Sequence, residues 1–298
     1  MSGGPTGLLV PITTPFDSAT GQVDPVDLRQ NVRALLGFGV DGVLVAGSTG
    51  EAPLLDEDEY RQIIAWLRDI VPPDRWLIAG AGRESTRATI RACHACGDEG
   101  GDAVLVRPPA YYGTGLTQEA LADHFRKVAD ESPVPVLLYN IPRYTHLSLS
   151  DSLFAQLAEH PNIVGAKDSS GDLKNFAAYR EAVPGWTHLV GSGALYYAAL
   201  ELGASGAIAA TGCFAAAVTR EIGVAFAAGD KRRAGSLQET VAPLHRAIVL
   251  ELGVPGVKAA VDAVGLAGGR VRSPLLDLGE RARSQVSDLL ATAGLSVN

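Results

Sequence analysis

Eight short apolar runs recur at a spacing of about 30 residues across the first 210 positions of this chain, and that rhythm constrains the fold more than any other feature. The runs are Leu8–Ile12, Val43–Ala46, Trp76–Ala79, Ala103–Val106, Val134–Tyr139, Ile163–Ala166, His188–Val190 and Ala207–Ala210. Turn-forming residues follow each, and then a longer stretch of helical character. Period-2 alternation is scarce, so both faces of each strand should be buried, as in a parallel sheet covered by helices. Repeated strand–helix alternation predicts an α/β fold, a closed (β/α)₈ TIM barrel; an open doubly wound sheet is the competing architecture. Helix starts are legible at Asp24-Pro25, Asp56-Glu57 and Ser85-Thr86, where a capping side chain precedes the first turn. After Ala210 the strands stop and the remainder reads as helix only. The expected organisation is a barrel over residues 1–228 and a C-terminal helical extension over residues 229–298.

The 298 residues carry a formal net charge of −8. That balance argues against a nucleic-acid partner but leaves a small anionic substrate open, since a few N–H groups and one cation can hold a carboxylate. No apolar stretch approaches the roughly 18 residues of a membrane span, and the N-terminus lacks signal-peptide features. Cys93, Cys96 and Cys213 are too few for a disulfide framework. The expectation is a cytoplasmic protein with no membrane partner. Cys93-His94-Ala95-Cys96 sits within a helical stretch and reads as packing rather than a metal or redox site. Gly80-Ala81-Gly82-Arg83-Glu84-Ser85 lacks the third glycine of a dinucleotide fingerprint, and no P-loop occurs. No cofactor and no metal are expected. Lys231-Arg232-Arg233 reads as a solvated charge run, and His146 and His188, near strand ends, read as structural.

Most basic residues are arginines; the five lysines are Lys127, Lys167, Lys174, Lys231 and Lys258. Four lie in helical or charged stretches, where a solvated head group is the default. Lys167 instead follows Ile163-Val164-Gly165-Ala166 and precedes Asp168-Ser169-Ser170-Gly171, which places it at the carboxyl end of the sixth strand, where barrel enzymes keep their chemistry. An apolar barrel mouth disfavours a charged amine and so favours a nucleophile that can attack a ketone. Pairing with Asp168 is the alternative. Tyr139 ends the neighbouring fifth strand and could shuttle a proton to Lys167 or the reacting oxygen, or serve only as a core tyrosine. Gly47-Ser48-Thr49-Gly50-Glu51 follows strand two; it could present successive N–H groups to a carboxylate, or be a plain glycine-rich turn.

With these residues the sequence resembles the dihydrodipicolinate synthase / N-acetylneuraminate lyase family of pyruvate-dependent class I aldolases over nearly its whole length. The resemblance runs through Pro11-Ile12-Thr13-Thr14-Pro15-Phe16, the Gly47–Glu51 loop, Ala110-Tyr111-Tyr112, Tyr139-Asn140-Ile141-Pro142, Gly165-Ala166-Lys167-Asp168 and Gly253-Val254-Pro255-Gly256-Val257-Lys258. It implies that Lys167 forms the Schiff base, Tyr139 relays protons, and Ser48 and Thr49 hold the pyruvyl carboxylate. Tyr111 matches a tyrosine lent across a dimer interface, and Ile208 a position whose backbone carbonyl lines the site. A homo-oligomer is implied, either a dimer or a tetramer built as a dimer of dimers. Where the lysine-biosynthetic synthases carry an arginine that grips the aldehyde's carboxylate, this chain has Tyr144; Arg143 is one residue early and should point elsewhere.

Other segments are similar to 4-hydroxy-2-oxoglutarate aldolases of that family. They are Ala81–Thr86, His160–Gly165, Lys167–Asp172 and Gly268–Leu275. By that resemblance Ser169 contacts the distal end of the substrate. The implied activity is a carbon–carbon lyase that parts a 4-hydroxy-2-oxo acid into pyruvate and an aldehyde, with 4-hydroxy-2-oxoglutarate giving glyoxylate. The rivals are 4-hydroxy-tetrahydrodipicolinate synthase, which condenses pyruvate with aspartate semialdehyde; an aldolase or dehydratase of a 2-keto-3-deoxy sugar acid; and a non-catalytic barrel that only binds a 2-oxo acid.

Overall fold

The computed structural model describes residues 3–297. Eight parallel strands close into a barrel in sequence order: β1 Gly7–Pro11, β2 Gly42–Val45, β3 Trp76–Gly80, β4 Ala103–Val106, β5 Val136–Asn140, β6 Ile163–Asp168, β7 Thr187–Val190 and β8 Gly206–Ile208. Each bound falls within two residues of an apolar run, and β8 pairs with β1 to complete the ring. The closed barrel removes the doubly wound alternative.

The lack of alternation is explained by two cores, one on each face of the sheet. Leu9, Leu44, Ile78, Leu105, Leu137, Tyr139, Leu189 and Ile208 fill the barrel's interior. The other face packs Val10, Val43, Val45, Val104, Val136 and Val190 against the helices. Every strand is therefore apolar on both sides.

The helices are α1 Pro25–Gly37, α2 Glu57–Arg68, α3 Thr86–Asp98, α4 Gln118–Glu131, α5 Pro142–Thr145, α6 Asp151–Leu157, α7 Leu173–Ala182, α8 Tyr196–Glu201, α9 Gly212–Ala227, α10 Lys231–Leu244, α11 Gly253–Ala263 and α12 Glu280–Thr292. The three expected starts hold. Asp24 accepts from the amides of Val26 and Asp27, Asp56 and Glu59 form a capping box, and Ser85 accepts from Ala88. Cys93 and Cys96 lie on the buried face of α3, where burial pushes the Cys93 thiol up to about 11 and Cys96 higher still. No reactive thiolate arises there. His188 is also structural, its ring bonded to the Val183 carbonyl at 2.8 Å.

The expectation of helix alone beyond Ala210 is corrected at two places. Helix α10 runs on into a wider π-helical stretch, His245–Glu251, and residues 264–279 are not helical at all. Gly265 and Gly269 take the left-handed conformation (φ 83° and 69°) and turn the chain out of α11. The strap that follows is stitched to α1 and to the end of α11. Asn31 exchanges hydrogen bonds with Ala267, and Asp262 accepts from Gly268 and Gly269. No helix among the described residues is long and apolar enough to cross a membrane.

Candidate active site

Strand alternation decides where Lys167 points. Its register partner on β5 is Tyr139, two residues beyond the Leu137–Gly165 pair, and Leu137 and Tyr139 both face the barrel interior. Lys167 therefore faces inward at the C-terminal mouth, and Asp168, the next residue, faces out. The Lys167 amine lies 3.1 Å from the Tyr139 hydroxyl and 4.2 Å from its ring centroid, and both side chains are buried. Asp168 is occupied elsewhere: it accepts from Asn140 at 2.7 Å and from the Ser170 hydroxyl at 2.8 Å. Burial raises the Asp168 pKa, with those hydrogen bonds opposing it. Pairing of Lys167 with Asp168 is thereby ruled out.

The loop after β2 reaches the same mouth. Ala46 and Glu51 take left-handed backbone (φ 46° and 58°), so the chain curls on itself between them. Gly80 on the neighbouring strand makes room for this curl, because a Cβ there would strike the Ala46 carbonyl. The Gly50 and Glu51 amides are spent inside the loop, on the Gly47 and Ser48 carbonyls. Those of Ser48 and Thr49 have no acceptor among the described residues. The carboxylate nest expected from sequence thus narrows to two amides and two hydroxyls.

Above Lys167 opens a cavity of about 250 Å³, walled by Ser48, Thr49, Tyr139, Tyr144, Lys167, Ser169 and Ile208 among others. Seven of the eight residues singled out from sequence meet there. Tyr111 does not: it stands on the surface, 83% exposed, packed edge-on against Tyr112. Its turn is held by Glu84, which accepts from the Ala110 and Tyr111 amides at 2.9 and 2.8 Å.

Arg143 requires a correction, since it also lines the cavity, its guanidinium donating to the Leu250 carbonyl at 2.6 Å. Sequence spacing treated 143 and 144 as opposed positions. The chain here forms the single-turn helix α5, in which successive side chains are about 100° apart, so both can border one opening. Ser192 and His245, which carry no motif in the sequence, also line the cavity. None of the lining residues is Asp or Glu.

Lys258 departs from the solvated head group expected of a helix lysine. It is fully buried on α11, 2.6 Å from the Glu51 carboxylate, and also donates to the Arg270 carbonyl. Glu51 accepts in addition from the Arg272 amide at 2.8 Å. The Arg272 guanidinium grips Glu59 with both nitrogens, and the Leu54 and Gly21 carbonyls as well. Both cations lie against the Phe16 ring, at 4.4 and 4.1 Å. This network ties the Gly47–Glu51 loop to α11, which supplies Val254 and Val257 to the cavity wall.

A buried lysine beside a tyrosine at the C-terminal mouth of a closed (β/α)₈ barrel, with free amides opposite, defines a lysine-based aldolase site. A profile of the dihydrodipicolinate synthetase family matches residues 4–293, and the chain belongs to that family. It is 35% identical to the 4-hydroxy-tetrahydrodipicolinate synthase of Methanoculleus marisnigri, over 97% of this chain and 99% of that one. Its identity to the Methanopyrus kandleri enzyme of the same name is 37%, over 95% and 93%. Among solved structures, the chloride-inhibited dihydrodipicolinate synthase of Acinetobacter baumannii complexed with pyruvate superposes with a TM-score of 0.93 at 33% identity, covering 98% of this chain and all of that one. YagE, a prophage protein of the dihydrodipicolinic acid synthase family from E. coli K12 in complex with pyruvate, gives 0.92 at 30%, covering 97% and 99%. The chain is accordingly a pyruvate-dependent lyase of the Schiff-base class.

Proposed function

We propose that this enzyme interconverts a 4-hydroxy-2-oxo acid with pyruvate and an aldehyde through a Schiff base on Lys167. The observation that carries the reading is the Lys167 amine held 3.1 Å from the Tyr139 hydroxyl inside the cavity. The amine adds to the C2 ketone and water leaves, giving an iminium that draws electrons from the C3–C4 bond. Tyr139, which lines the cavity together with Ser48, takes the proton of the C4 hydroxyl as that bond breaks. The aldehyde departs, the enamine is protonated at C3, and hydrolysis frees pyruvate and the amine. The Ser48 and Thr49 amides hold the C1 carboxylate, and the Ile208 carbonyl borders the reacting centre. In this reading Tyr111 reaches the site of a second copy, as its exposure allows.

The absence of acidic groups from the cavity, together with Arg143 at its mouth, favours a substrate with a second carboxylate over a polyhydroxylated sugar acid. 4-Hydroxy-2-oxoglutarate, which yields glyoxylate, is the substrate we favour. The synthase reaction with aspartate semialdehyde is the second reading. The names of the relatives and the placement of Arg143 support it, and Tyr144 in the arginine's slot opposes it.

Borohydride added with pyruvate should fix a pyruvyl group on the peptide that carries Lys167; no adduct there refutes the mechanism. Pyruvate release from 4-hydroxy-2-oxoglutarate, set against condensation of pyruvate with aspartate semialdehyde, separates the two readings. Tyr139→Phe should lower kcat by roughly 10²- to 10⁴-fold, the scale of a lost acid–base group. The adduct should still form at saturating pyruvate.

A further inference from the structure

Beside Lys167 the cavity is lined by the turn after β7, carrying Gly191 and Ser192, and by the first residue of the π-helical stretch, His245. π-Helical turns are uncommon and concentrate at functional sites. Gly191 must lack a side chain, since a Cβ there would collide with the Ser169 hydroxyl, another lining group. His245 is 3% exposed; its Nε2 lies 3.2 Å from the Ser192 hydroxyl, and its buried Nδ1 has no partner among the described residues.

We infer that Ser192, oriented by His245, is a specificity residue that donates a hydrogen bond to a carboxylate at the aldehyde end of the substrate. This deepens the proposed function and rests on it. Burial first, then the charges of Arg246 and Arg143, lowers the His245 pKa to about 4, so the ring is neutral near pH 7 and carries one N–H. Were that proton on Nδ1, a buried donor would have no acceptor, an arrangement rare in folded proteins. On Nε2 the proton is donated to the Ser192 oxygen, and Nδ1 is left as an unfilled acceptor. The Ser192 O–H is then free to turn into the cavity, where no Asp or Glu competes for it. Arg143 at the same opening brings a second donor of matching sense. One Arg143 nitrogen is spent on the Leu250 carbonyl, but hydroxyl and guanidinium donors with no carboxylate among them suit an anionic oxygen. His245 does not touch the substrate here; it is a positioning residue.

The test compares 4-hydroxy-2-oxoglutarate with 4-hydroxy-2-oxopentanoate, whose distal methyl replaces the carboxylate, in the full-length enzyme. The wild type should favour the dicarboxylic acid. In Ser192→Ala the ratio of the two kcat/KM values should fall roughly 10- to 100-fold, the scale of a hydrogen bond to a charged group. His245→Phe should shift the ratio the same way, and Ser192→Thr should keep it. A purely structural role would depress both substrates together and leave the ratio alone, and that result overturns the assignment. A wild type that traps pyruvate on Lys167 yet shows no preference also overturns it, while leaving the Schiff-base reading intact. A wild type that traps no pyruvate ends both.

Discussion

Lys167→Met should lower kcat by roughly 10⁶-fold, the scale on which covalent enzymes fail when their nucleophile is removed. Methionine matches lysine in length and flexibility and is at ease among apolar groups, so the barrel should keep its fold. Among the described residues the amine's side-chain hydrogen bond is to the Tyr139 hydroxyl alone, and no carboxylate is left stranded, because Asp168 is satisfied by Asn140 and Ser170. Loss of activity should therefore come without a matching loss of stability. The measurement pairs initial rates with a thermal melt and with borohydride trapping. Residual turnover above about one part in a thousand, or a pyruvate adduct on another lysine, would show that the chemistry is not carried by Lys167.

The barrel was readable because its physics is local. A parallel strand buried on both faces must be a short apolar run, and capping residues such as Asp24, Asp56 and Ser85 mark where the following helices begin. Lys167 was readable for the same reason: an amine at the end of such a run has one of two faces to take, and Tyr139, one strand away, takes the matching face. The features that escaped depend on distant partners or local turn geometry. Lys258 sits between Val257 and Ala259-Ala260-Val261, which hints at burial, but its partner Glu51 is 207 positions earlier in the chain. Gly265, Gly268, Gly269 and Pro274 were visible and argued for a break between α11 and α12, but the helical reading passed over them. Arg143 stands one residue early for the arginine's slot, yet the single turn of α5 brings it to the cavity beside Tyr144. The one local signal near His245 is Pro243, inside α10, which interrupts the α-helical ladder just before the winding widens but does not say which side chain then faces the cavity.

The Glu51–Lys258 pair yields the largest stability effect. Lys258→Met should destabilise the fold by about 3–5 kcal/mol, because it leaves a fully buried carboxylate facing an apolar neighbour. That corresponds to a fall in Tm of roughly 5–8 °C for a chain of this size. The double variant Glu51→Gln/Lys258→Met should recover most of the loss. Burial depresses the Lys258 pKa even against the charge of Glu51, which shows how much desolvation opposes the pair. With both charges gone that penalty disappears, and glutamine can still accept from the Arg272 amide that now bonds Glu51 at 2.8 Å. The two variants should part in kinetics. Glu51 closes the loop that presents the Ser48 and Thr49 amides, so Lys258→Met should raise KM for pyruvate by about tenfold while trapping on Lys167 persists at saturation. The double variant should sit near the wild type. Melts and pyruvate titrations of the three proteins decide it: if the double variant is no more stable than Lys258→Met, unpaired charge is not the cause. If KM stays at the wild-type value in both, the network holds the fold without shaping the carboxylate site.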